Sequence, residues 1–365
     1  MSPPSQIPIC QEPNAETVVG LDIGGANIKI ADSTGNTTHI PFAMWSEHQT
    51  LPTILEENLN RFEPFQLVAT TMTGELADCF ESKSEGVSYI LQSLVKALGT
   101  KRRPIIYSTK GFLDVESANR DPFSVAAANW HASATFLASH YELEFGLIID
   151  CGSTTVDVIP IQDGRPIAQG YRDVDRLTNK TLVYTGVKRT PLMSLGNSIQ
   201  VAGKSIGTAN EMFATTADIY RILGQLDSND EKDSADGRSN RLDDCHRRIA
   251  KMICSDTSEC DFDQAIEIAK QYRQRQIELI GDAVDHQLLG LISSGNTSPI
   301  PILVFGEGEF LVREALAQSN YQKQCHIKSL SGEFNEKVSR SLPAFAVACL
   351  AVTHSANLRE LGASQ

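Results

Sequence analysis

The chain has 365 residues, 41% of them hydrophobic, and its 45 acidic against 32 basic side chains give a net charge of −13 at pH 7. This length favours two domains over a single core, and the acidic balance argues against nucleic acid as the main partner. No apolar run is long enough to span a membrane, and the first residues lack the basic and apolar regions of a signal peptide, so we expect a cytoplasmic protein.

Strand and helix patterns alternate along the first half of the chain. Residues 1–16 are rich in proline and polar side chains, which predicts a disordered tail. Residues 17–42 predict three strands with turns at Gly24–Gly25 and at Gly35. The elements predicted next are a helix over 52–61, a strand over 66–72, a helix over 86–98, a strand over 104–107 and a helix over 124–140. We expect residues 17–140 to form the first domain.

The second half restarts with a strand pattern over residues 144–150. Residues 227–263 begin with a polar run that lacks apolar anchors, which predicts a linker or a surface insertion. The elements predicted next are a helix over 264–280, a strand over 302–305 and a helix rich in small residues over 342–350. We expect a second domain over 141–353 with an inserted region over 171–290, and a tail over 354–365. Strands followed by crossover helices predict an α/β fold with mixed sheets.

An internal repeat is the most informative feature of the sequence. Residues 22–29, Asp-Ile-Gly-Gly-Ala-Asn-Ile-Lys, recur in altered form at residues 150–157 as Asp-Cys-Gly-Ser-Thr-Thr-Val-Asp. Each copy follows an apolar run and precedes a second strand pattern, so each predicts a hairpin with a tight corner. Two such corners favour a duplicated fold that holds one polyphosphate between two related domains.

The residue types at the two corners suit phosphate, because small residues let backbone N–H groups approach its oxygens and hydroxyls add donors. The predicted phosphate contacts are Asp22, Gly24, Gly25, Asn27, Gly152, Ser153, Thr154, Thr155 and Arg189. Carboxylates hold hydrated Mg²⁺ beside phosphates, and Asp22, Asp150 and Asp157 are the predicted ligands. Each of these acids could instead cap a turn, and Arg189 could be a surface arginine. Lys29 is either a phosphate contact or an exposed strand lysine.

Four further segments carry candidate side chains, namely 70–80, 182–191, 210–218 and the corner after the strand over 302–305. Residues 70–80 end a strand, where the sites of α/β proteins gather. A glycine corner follows the strand over 302–305. In two-lobed nucleotide-binding folds such a corner packs on an adenosine, and here it would pack on an adenosine or on the aromatic part of a substrate. The candidate pocket residues of these and neighbouring segments are Gly306, Glu307, Gly308, Asp78, Thr185 and Glu211.

The chain has eight cysteines and no Cys-x-x-Cys pair, which argues against a zinc ribbon. Cys245, His246, Cys254 and Cys260 cluster in the sequence and could bind a metal, but free thiols of a reducing compartment are the favoured interpretation. Cys151 lies inside the second corner, where a small buried thiol is favoured over a nucleophile.

Taken together, the two corners, the glycine corner and the small-residue helix resemble the acetate and sugar kinase/Hsp70/actin superfamily, in its hydantoinase/oxoprolinase-like branch. The resemblance implies a two-lobed, ribonuclease H-like α/β fold of duplicated mixed-sheet domains. The long segments 70–80, 182–191, 210–218 and 235–238 look like the tetrahydromethanopterin-linked one-carbon-transfer pathway proteins. That group is similar to the furanylmethylamine-ether synthase of methanofuran biosynthesis, and the resemblance runs from about residue 18 to about residue 352.

The resemblance implies a pyrophosphate-releasing transferase. The family enzyme joins an aminomethyl-furanylmethyl diphosphate to the phenol of tyramine, tyrosine or a glutamyl derivative. Mg²⁺ is the implied cofactor, and ATP is possible but not required. The implied partners are small molecules, and a homo-oligomer stays open. The catalytic candidates are Asp150, Lys29 and Glu75. Lys29 would contact phosphate, and Glu75 would deprotonate the phenol, bind the substrate's ammonium or cap the following helix.

Two other functions stay open from the sequence. An ATP-dependent small-molecule kinase or hydantoinase/oxoprolinase-like hydrolase is favoured by the corner at Gly306 and Gly308, which usually builds an adenosine site. A non-catalytic, nucleotide-responsive protein could use residues 227–240 as a docking segment. The retained acids and Lys29 argue against this last function.

Overall fold

The computed structural model describes residues 17–295 and 299–363. The predicted disordered tail over 1–16 therefore lies outside the described residues. The strands are β1 (Val18–Gly24), β2 (Asn27–Asp32), β3 (Thr37–Pro41), β4 (Leu67–Thr73), β5 (Arg103–Ser108), β6 (Gly111–Leu113), β7 (Phe145–Cys151), β8 (Val156–Gln162), β9 (Arg165–Pro166), β10 (Leu182–Val183), β11 (Ser198–Val201), β12 (Lys204–Gly207), β13 (Ile300–Phe305) and β14 (Cys325–Ser329).

The helices alternate with these strands, as the sequence pattern predicts. They are α1 (Met44–Glu47), α2 (Leu51–Leu59), α3 (Lys83–Leu98), α4 (Val115–Arg120), α5 (Pro122–Val125), α6 (Asn129–His140), α7 (Asp173–Thr178), α8 (Thr216–Ile222), α9 (Leu242–Lys251), α10 (Phe262–Ser293), α11 (Glu309–Gln318), α12 (Glu336–Arg340) and α13 (Leu342–Ala363). None of the helices in the described part of the chain is both long and apolar enough to cross a membrane.

The chain divides into two compact units. Among the described residues, unit 1 comprises 17–146, 159–178 and 329–363, and unit 2 comprises 147–158, 179–295 and 299–328. These units differ in extent from the predicted domains over 17–140 and 141–353, because α13 and the segment 159–178 belong to unit 1. The predicted tail over 354–365 is helical as far as Ala363, where α13 ends.

Unit 1 is built on a six-stranded sheet in the order β3-β2-β1-β4-β5-β6. β1 pairs antiparallel with β2 and parallel with β4, so the predicted hairpin over 17–42 is confirmed. β1 and β4 are buried almost throughout because helices cover both faces of the sheet. One face packs apolar side chains of α2 and α3, and the other packs α6 and α13.

The small-residue helix α13 lies directly on β1. A Cβ at Gly20 would overlap the carbonyl oxygen of Ala344, so helix and strand approach through a glycine. The expectation of one continuous helix over 124–140 is wrong. α5 ends at Val125 and α6 begins at Asn129, because Ala127 takes a positive φ of 49° that no helix accepts.

The second sheet has the order β10-β8-β7-β13-β14, with β9 beside β8. β13 runs parallel to β7, which places Phe305 beside Asp150. The predicted helix over 264–280 is part of the longer α10, which begins at a capping box. There the Asp261 carboxylate accepts from the Gln264 backbone N–H at 2.9 Å and the Gln264 side-chain oxygen accepts from the Asp261 N–H at 2.9 Å.

The polar segment 227–241 is anchored on α8 and α9 rather than free as a linker. Arg248 of α9 is fully buried and bonds Asp218 at 2.9 Å and Asp236 at 3.0 Å. Asn240 is also buried, and its amide donates to Asp233 at 2.6 Å. Buried hydrogen bonds and ion pairs therefore hold this segment in place, although it lacks apolar anchors.

The cysteine cluster that could have bound a metal serves packing instead. Cys245 donates to the carbonyl of Asn240 at 3.7 Å, and His246 Nε2 lies 2.8 Å from the carbonyl oxygen of Cys260. Across the described ranges, no group of three or more acidic, histidine or cysteine side chains is arranged to hold a metal. The seven cysteines that the structure describes form no disulfide, as expected of thiols in a reducing compartment.

Candidate functional site

The first corner carries a built-in ion pair. Asp22 and Lys29 face each other in the antiparallel register of β1 and β2, with Lys29 Nζ 3.4 Å from Asp22 Oδ2. Burial raises the pKa of Asp22, and the neighbouring ammonium opposes that rise. The Asp22 side chain is 4% exposed, whereas that of Lys29 is 26% exposed and can reach a ligand. Asp22 Oδ1 is buried and receives no hydrogen bond from the residues that the structure describes.

The backbone of this corner is closed at Gly24 and open at Gly25. A Cβ at Gly24 would come within 2.7 Å of the Asn27 carbonyl oxygen, so only glycine fits there. A Cβ at Gly25 would meet nothing within 4 Å, and its carbonyl accepts from Met44 N at 2.9 Å. The backbone at Gly25 is therefore fixed in place with space in front of it, as an approach to phosphate requires.

Glu75 lies beside this corner at the end of β4. Thr73 pairs with Gly24, and the N–H of Gly74 donates to the carbonyl of Ile23 at 3.0 Å. The Glu75 side chain is buried at 1% exposure, and its Oε2 has no hydrogen-bond partner in the described structure. Burial raises the pKa of Glu75 from an ordinary 4.5 to about 7, and the charges of Asp173 and Asp22 add to the rise.

The hypothesis that Glu75 caps the following helix is wrong. α3 begins at Lys83, and its N-cap is Ser82, whose hydroxyl accepts from Glu85 N at 3.2 Å. Asp78 is exposed and contributes nothing to that cap.

An ion pair near Glu75 escaped the sequence analysis. Lys83 Nζ lies 2.6 Å from Asp173 Oδ2, and the charges of both residues act on Glu75. Lys83 is the first residue of α3, where the helix dipole disfavours a cation. The unfavourable position of this cation in its helix was the feature of the sequence that could have identified Lys83 as a candidate. No local signal could have found its partner, because Asp173 lies 90 positions further along the chain.

Two segments that the sequence analysis identified, 182–191 and 306–308, pack against the second corner. The Gly152 N–H donates to the Thr155 carbonyl at 2.9 Å, and the N–H groups of Lys188 and Arg189 both donate to the Ser153 carbonyl at 3.0 Å. A Cβ at Gly186 would overlap the backbone at Ser153 and Thr154. Segment 182–191 therefore closes on the corner through a glycine.

Gly306, Glu307 and Gly308 pack against the same corner. Gly306 has φ +95°, and a Cβ there would overlap the Asp150 carboxylate. The N–H of Gly308 donates to the Cys151 carbonyl at 2.8 Å, and a Cβ at Gly308 would overlap Cys151 Sγ. Cys151 is fully buried, and burial raises the pKa of its thiol well above its usual range, which favours the buried-thiol interpretation over that of a nucleophile.

The remaining candidates differ in where the structure places them. Glu307 pairs with Lys188 at 2.5 Å. Thr185 is buried and accepts from Gln276 of α10 at 2.8 Å, so it holds that helix to the corner segment instead of lining an open pocket. Arg189 and Glu211 are exposed.

Unit 1 thus brings together Asp22, Gly24, Gly25, Asn27, Lys29 and Glu75. Unit 2 brings together Asp150, Gly152, Ser153, Thr154, Thr155, Gly306, Glu307 and Gly308, with Asp157 following on β8.

Comparison with known proteins adds the chemistry of relatives. The sequence profile of the hydantoinase/oxoprolinase family matches residues 66–348. A (4-{4-[2-(gamma-L-glutamylamino)ethyl]phenoxymethyl}furan-2-yl)methanamine synthase from Methanocaldococcus jannaschii is 35% identical over 339 residues, which cover 91% of this chain and 97% of the relative. The synthase of the same name from Methanococcus vannielii is 33% identical over 207 residues, 56% of this chain and 89% of the relative.

Solved structures share the fold at low sequence identity. An acetone carboxylase in its nucleotide-free structure superposes with a TM-score of 0.51 at 10% identity, covering 92% of this chain and 70% of that one. This likeness and the two mixed sheets confirm the predicted α/β, actin/sugar-kinase-like fold class.

Proposed function

Because the chain belongs to the hydantoinase/oxoprolinase family, and to the group of that family that includes the furanylmethanamine synthases, we propose that this enzyme forms the aryl ether bond of a methanofuran precursor. The observation that carries the proposal is the 35% identity to the Methanocaldococcus jannaschii synthase over 91% of the chain. The name of that relative describes a furan that bears a methanamine group and is joined through a phenoxymethyl ether to a glutamylated aminoethyl chain.

In the proposed reaction, an aminomethyl-furanylmethyl diphosphate reacts with a phenol. The bond between the methylene carbon and the diphosphate oxygen breaks, and its electron pair leaves with pyrophosphate. The phenol oxygen bonds to the methylene carbon and releases its proton. The furan oxygen stabilises positive charge on that carbon, so the protein's task is to neutralise the leaving group and to position the phenol.

Lys29 is the residue of unit 1 that suits the leaving group. Its ammonium is partly exposed and lies 3.4 Å from Asp22, in the same hairpin as the open backbone of Gly25. The second repeat has Asp157 at the matching position, so the cation is a property of the first corner alone. A lysine at this place contributes a fixed positive charge to phosphate oxygens.

In unit 2, backbone and hydroxyl donors of residues 152–155 would contact phosphate. Mg²⁺ usually binds through one or two carboxylates together with substrate phosphate oxygens, and it neutralises the charge that develops on the leaving group. Asp150 lies near the end of β7 and Asp157 lies on β8, on either side of the corner that supplies these donors, so we propose Asp150 and Asp157 as the Mg²⁺ ligands. The seven cysteines in the described part of the chain are free, which supports the cytoplasmic location that we propose for the enzyme.

The test is pyrophosphate release by purified protein with Mg²⁺, the furanylmethyl diphosphate and tyramine-type phenols. We expect pyrophosphate only when both organic substrates are present, and its loss in Lys29→Ala. Lys110→Ala is the matched control, because this lysine is 71% exposed and pairs with Asp121.

The same assay run with ATP tests the alternative that the corner at Gly306 and Gly308 favours. ADP formation without pyrophosphate release from the furan substrate would contradict the ether-forming reaction. It would assign the protein to ATP-dependent kinases or hydrolases.

A further inference from the structure

The ion pairs around Glu75 in unit 1 leave its carboxylate without an ionic partner among the described residues. Three carboxylates meet there, from Asp22 on β1, Glu75 after β4 and Asp173 on α7. Two ammonium groups oppose these charges, and each already forms an ion pair with another carboxylate. Lys29 lies 3.4 Å from Asp22, and Lys83 lies 2.6 Å from Asp173. His39 of β3 acts on Asp22 from the far side of the hairpin.

Glu75 is consequently the acid of this group that has no ion-pair partner in the described part of the chain. It is also the most deeply buried of the three, at 1% exposure, and its Oε2 receives no hydrogen bond there. Leaving a buried carboxyl oxygen unpaired costs stability, and a functional role is one explanation for retaining such an oxygen. The missing component is a hydrogen-bond donor that carries positive charge.

We propose that Glu75 binds the primary ammonium of the aminomethyl-furan substrate. The assignment rests on the proposed function for the identity of that ligand. An alkylammonium has three N–H donors and one positive charge, which supply what Glu75 Oε2 lacks and balance the third carboxylate.

The substrate's furan end fits this place better than the glutamyl end of the acceptor. A glutamyl group carries its own carboxylate on the same carbon as its ammonium, so it would bring a negative charge next to Glu75 itself, and the Glu75 carboxylate repels that charge. The methanamine on the furan has no such carboxylate. Glu75 would thus bind one end of the donor substrate and Lys29 the diphosphate at its other end, so that unit 1 recognises the donor by two opposite charges.

This role differs from that of a general base for the phenol, and the two predict different kinetics. A base acts on the acceptor, so its loss slows every donor substrate equally. An ammonium-binding residue acts on the donor, so its loss matters only when the amine is present. The comparison therefore needs a second donor in which a methyl group replaces the aminomethyl group.

The kinetic experiment measures kcat/KM for both donors with wild type, Glu75→Gln and the control Glu116→Gln, whose side chain is 82% exposed on α4. We expect wild type and the control to prefer the amine by roughly 10- to 100-fold, the range of a charge-assisted hydrogen bond. Glu75→Gln should lose this preference and keep the wild-type rate with the methyl donor. An equal loss for both donors would overturn the proposal in favour of the base role.

Calorimetry of 2-furanmethylamine with the whole protein provides a readout that needs no turnover. We expect binding to wild type and at least 10-fold weaker binding to Glu75→Gln. At pH 6.5 the buried carboxyl must give up its proton to pair with the ammonium. Binding should therefore release roughly three quarters of a proton, measured by repeating the titration in buffers of different ionisation enthalpy.

The two arms separate the inference from the function on which it rests. Amine binding that depends on Glu75 in a protein that forms no pyrophosphate would support the ammonium site and reject the ether-forming reaction. Pyrophosphate release with equal affinity of wild type and Glu75→Gln for the amine would overturn the ammonium site and leave the reaction in place. Tryptophan fluorescence checks that the variant is folded, since Trp45 and Trp130 both lie in unit 1.

Discussion

Glu75 makes the stability of unit 1 fall as pH rises, and Glu75→Gln should abolish this dependence. The pKa of Glu75 is 4.5 in an ordinary setting and about 7 in the folded protein, where burial dominates. Between these values the folded state holds a proton that the unfolded chain has released, so rising pH favours unfolding. Below pH 4.5 both states are protonated, and above pH 7 both are ionised, so the loss is confined to that window.

The size of the effect follows from the same two pKa values. From pH 5 to pH 8 wild type should lose about 2.5 kcal/mol of unfolding free energy through Glu75 alone, because the unfolded side chain is already largely ionised at pH 5. Glutamine has the same shape and no charge to lose. The difference in unfolding free energy between Glu75→Gln and wild type should therefore rise by about 2.5 kcal/mol in favour of the variant, whatever the fixed offset between them.

Urea unfolding followed by tryptophan fluorescence at pH 5, 6, 7 and 8 measures this difference in the right place. The chain has two tryptophans, Trp45 and Trp130, and both belong to unit 1. Glu116→Gln on α4 is the control and should track wild type at every pH, since its side chain is 82% exposed. A constant difference between Glu75→Gln and wild type across the four pH values would refute the reasoning, because it would mean that Glu75 ionises alike in both states.

Two further predictions concern unit 2. Arg248→Ala should destabilise the protein by about 3–5 kcal/mol, since it leaves Asp218 buried without its partner. The control Arg247→Ala removes a half-exposed neighbour and should cost less than about 1 kcal/mol. Urea unfolding followed by circular dichroism compares the two variants, and equal effects would contradict the anchoring role of Arg248. Gly308→Ala should lower the free energy of unfolding by about 1–3 kcal/mol, because the new methyl group overlaps the Cys151 thiol. Adding Cys151→Ala to that variant should restore part of the lost stability. If the double variant is no more stable than Gly308→Ala, the thiol is not the obstacle.

Local patterns in the sequence were sufficient for much of the fold. The two corners were predictable because a strand, a small-residue turn and a second strand are encoded within consecutive residues, as at 18–32. The break at Ala127 was not, since alanine favours helix and only the surrounding packing forces its positive φ. The packing of α13 on the sheet of unit 1 was not predictable either. A helix rich in small residues indicates close packing, but its composition does not identify the element against which it packs.

The candidate site divides in the same way. Lys29 and Asp22 were predictable as neighbours because a hairpin places them in register. The surroundings of Glu75 depend on Asp173, which is joined to Lys83 across 90 positions of sequence, and burial raises the pKa of Glu75 only after those segments have met. The position of Thr185 near the corner predicts a pocket residue, whereas its buried hydrogen bond to Gln276 depends on a helix about 90 positions away.

The packing of α13 on β1 has a consequence for how the protein is made. β1 ends at Gly24 and α13 begins at Leu342, so a ribosome must add more than 300 residues before the strand receives the helix that covers it. At 5–20 residues per second that interval lasts roughly 15–65 s. During this time Val18, Ala69 and their apolar neighbours face water on one side of a half-covered sheet. Nascent chains should therefore depend on chaperones to remain unaggregated, and a circular permutant that starts at residue 329 should depend on them less.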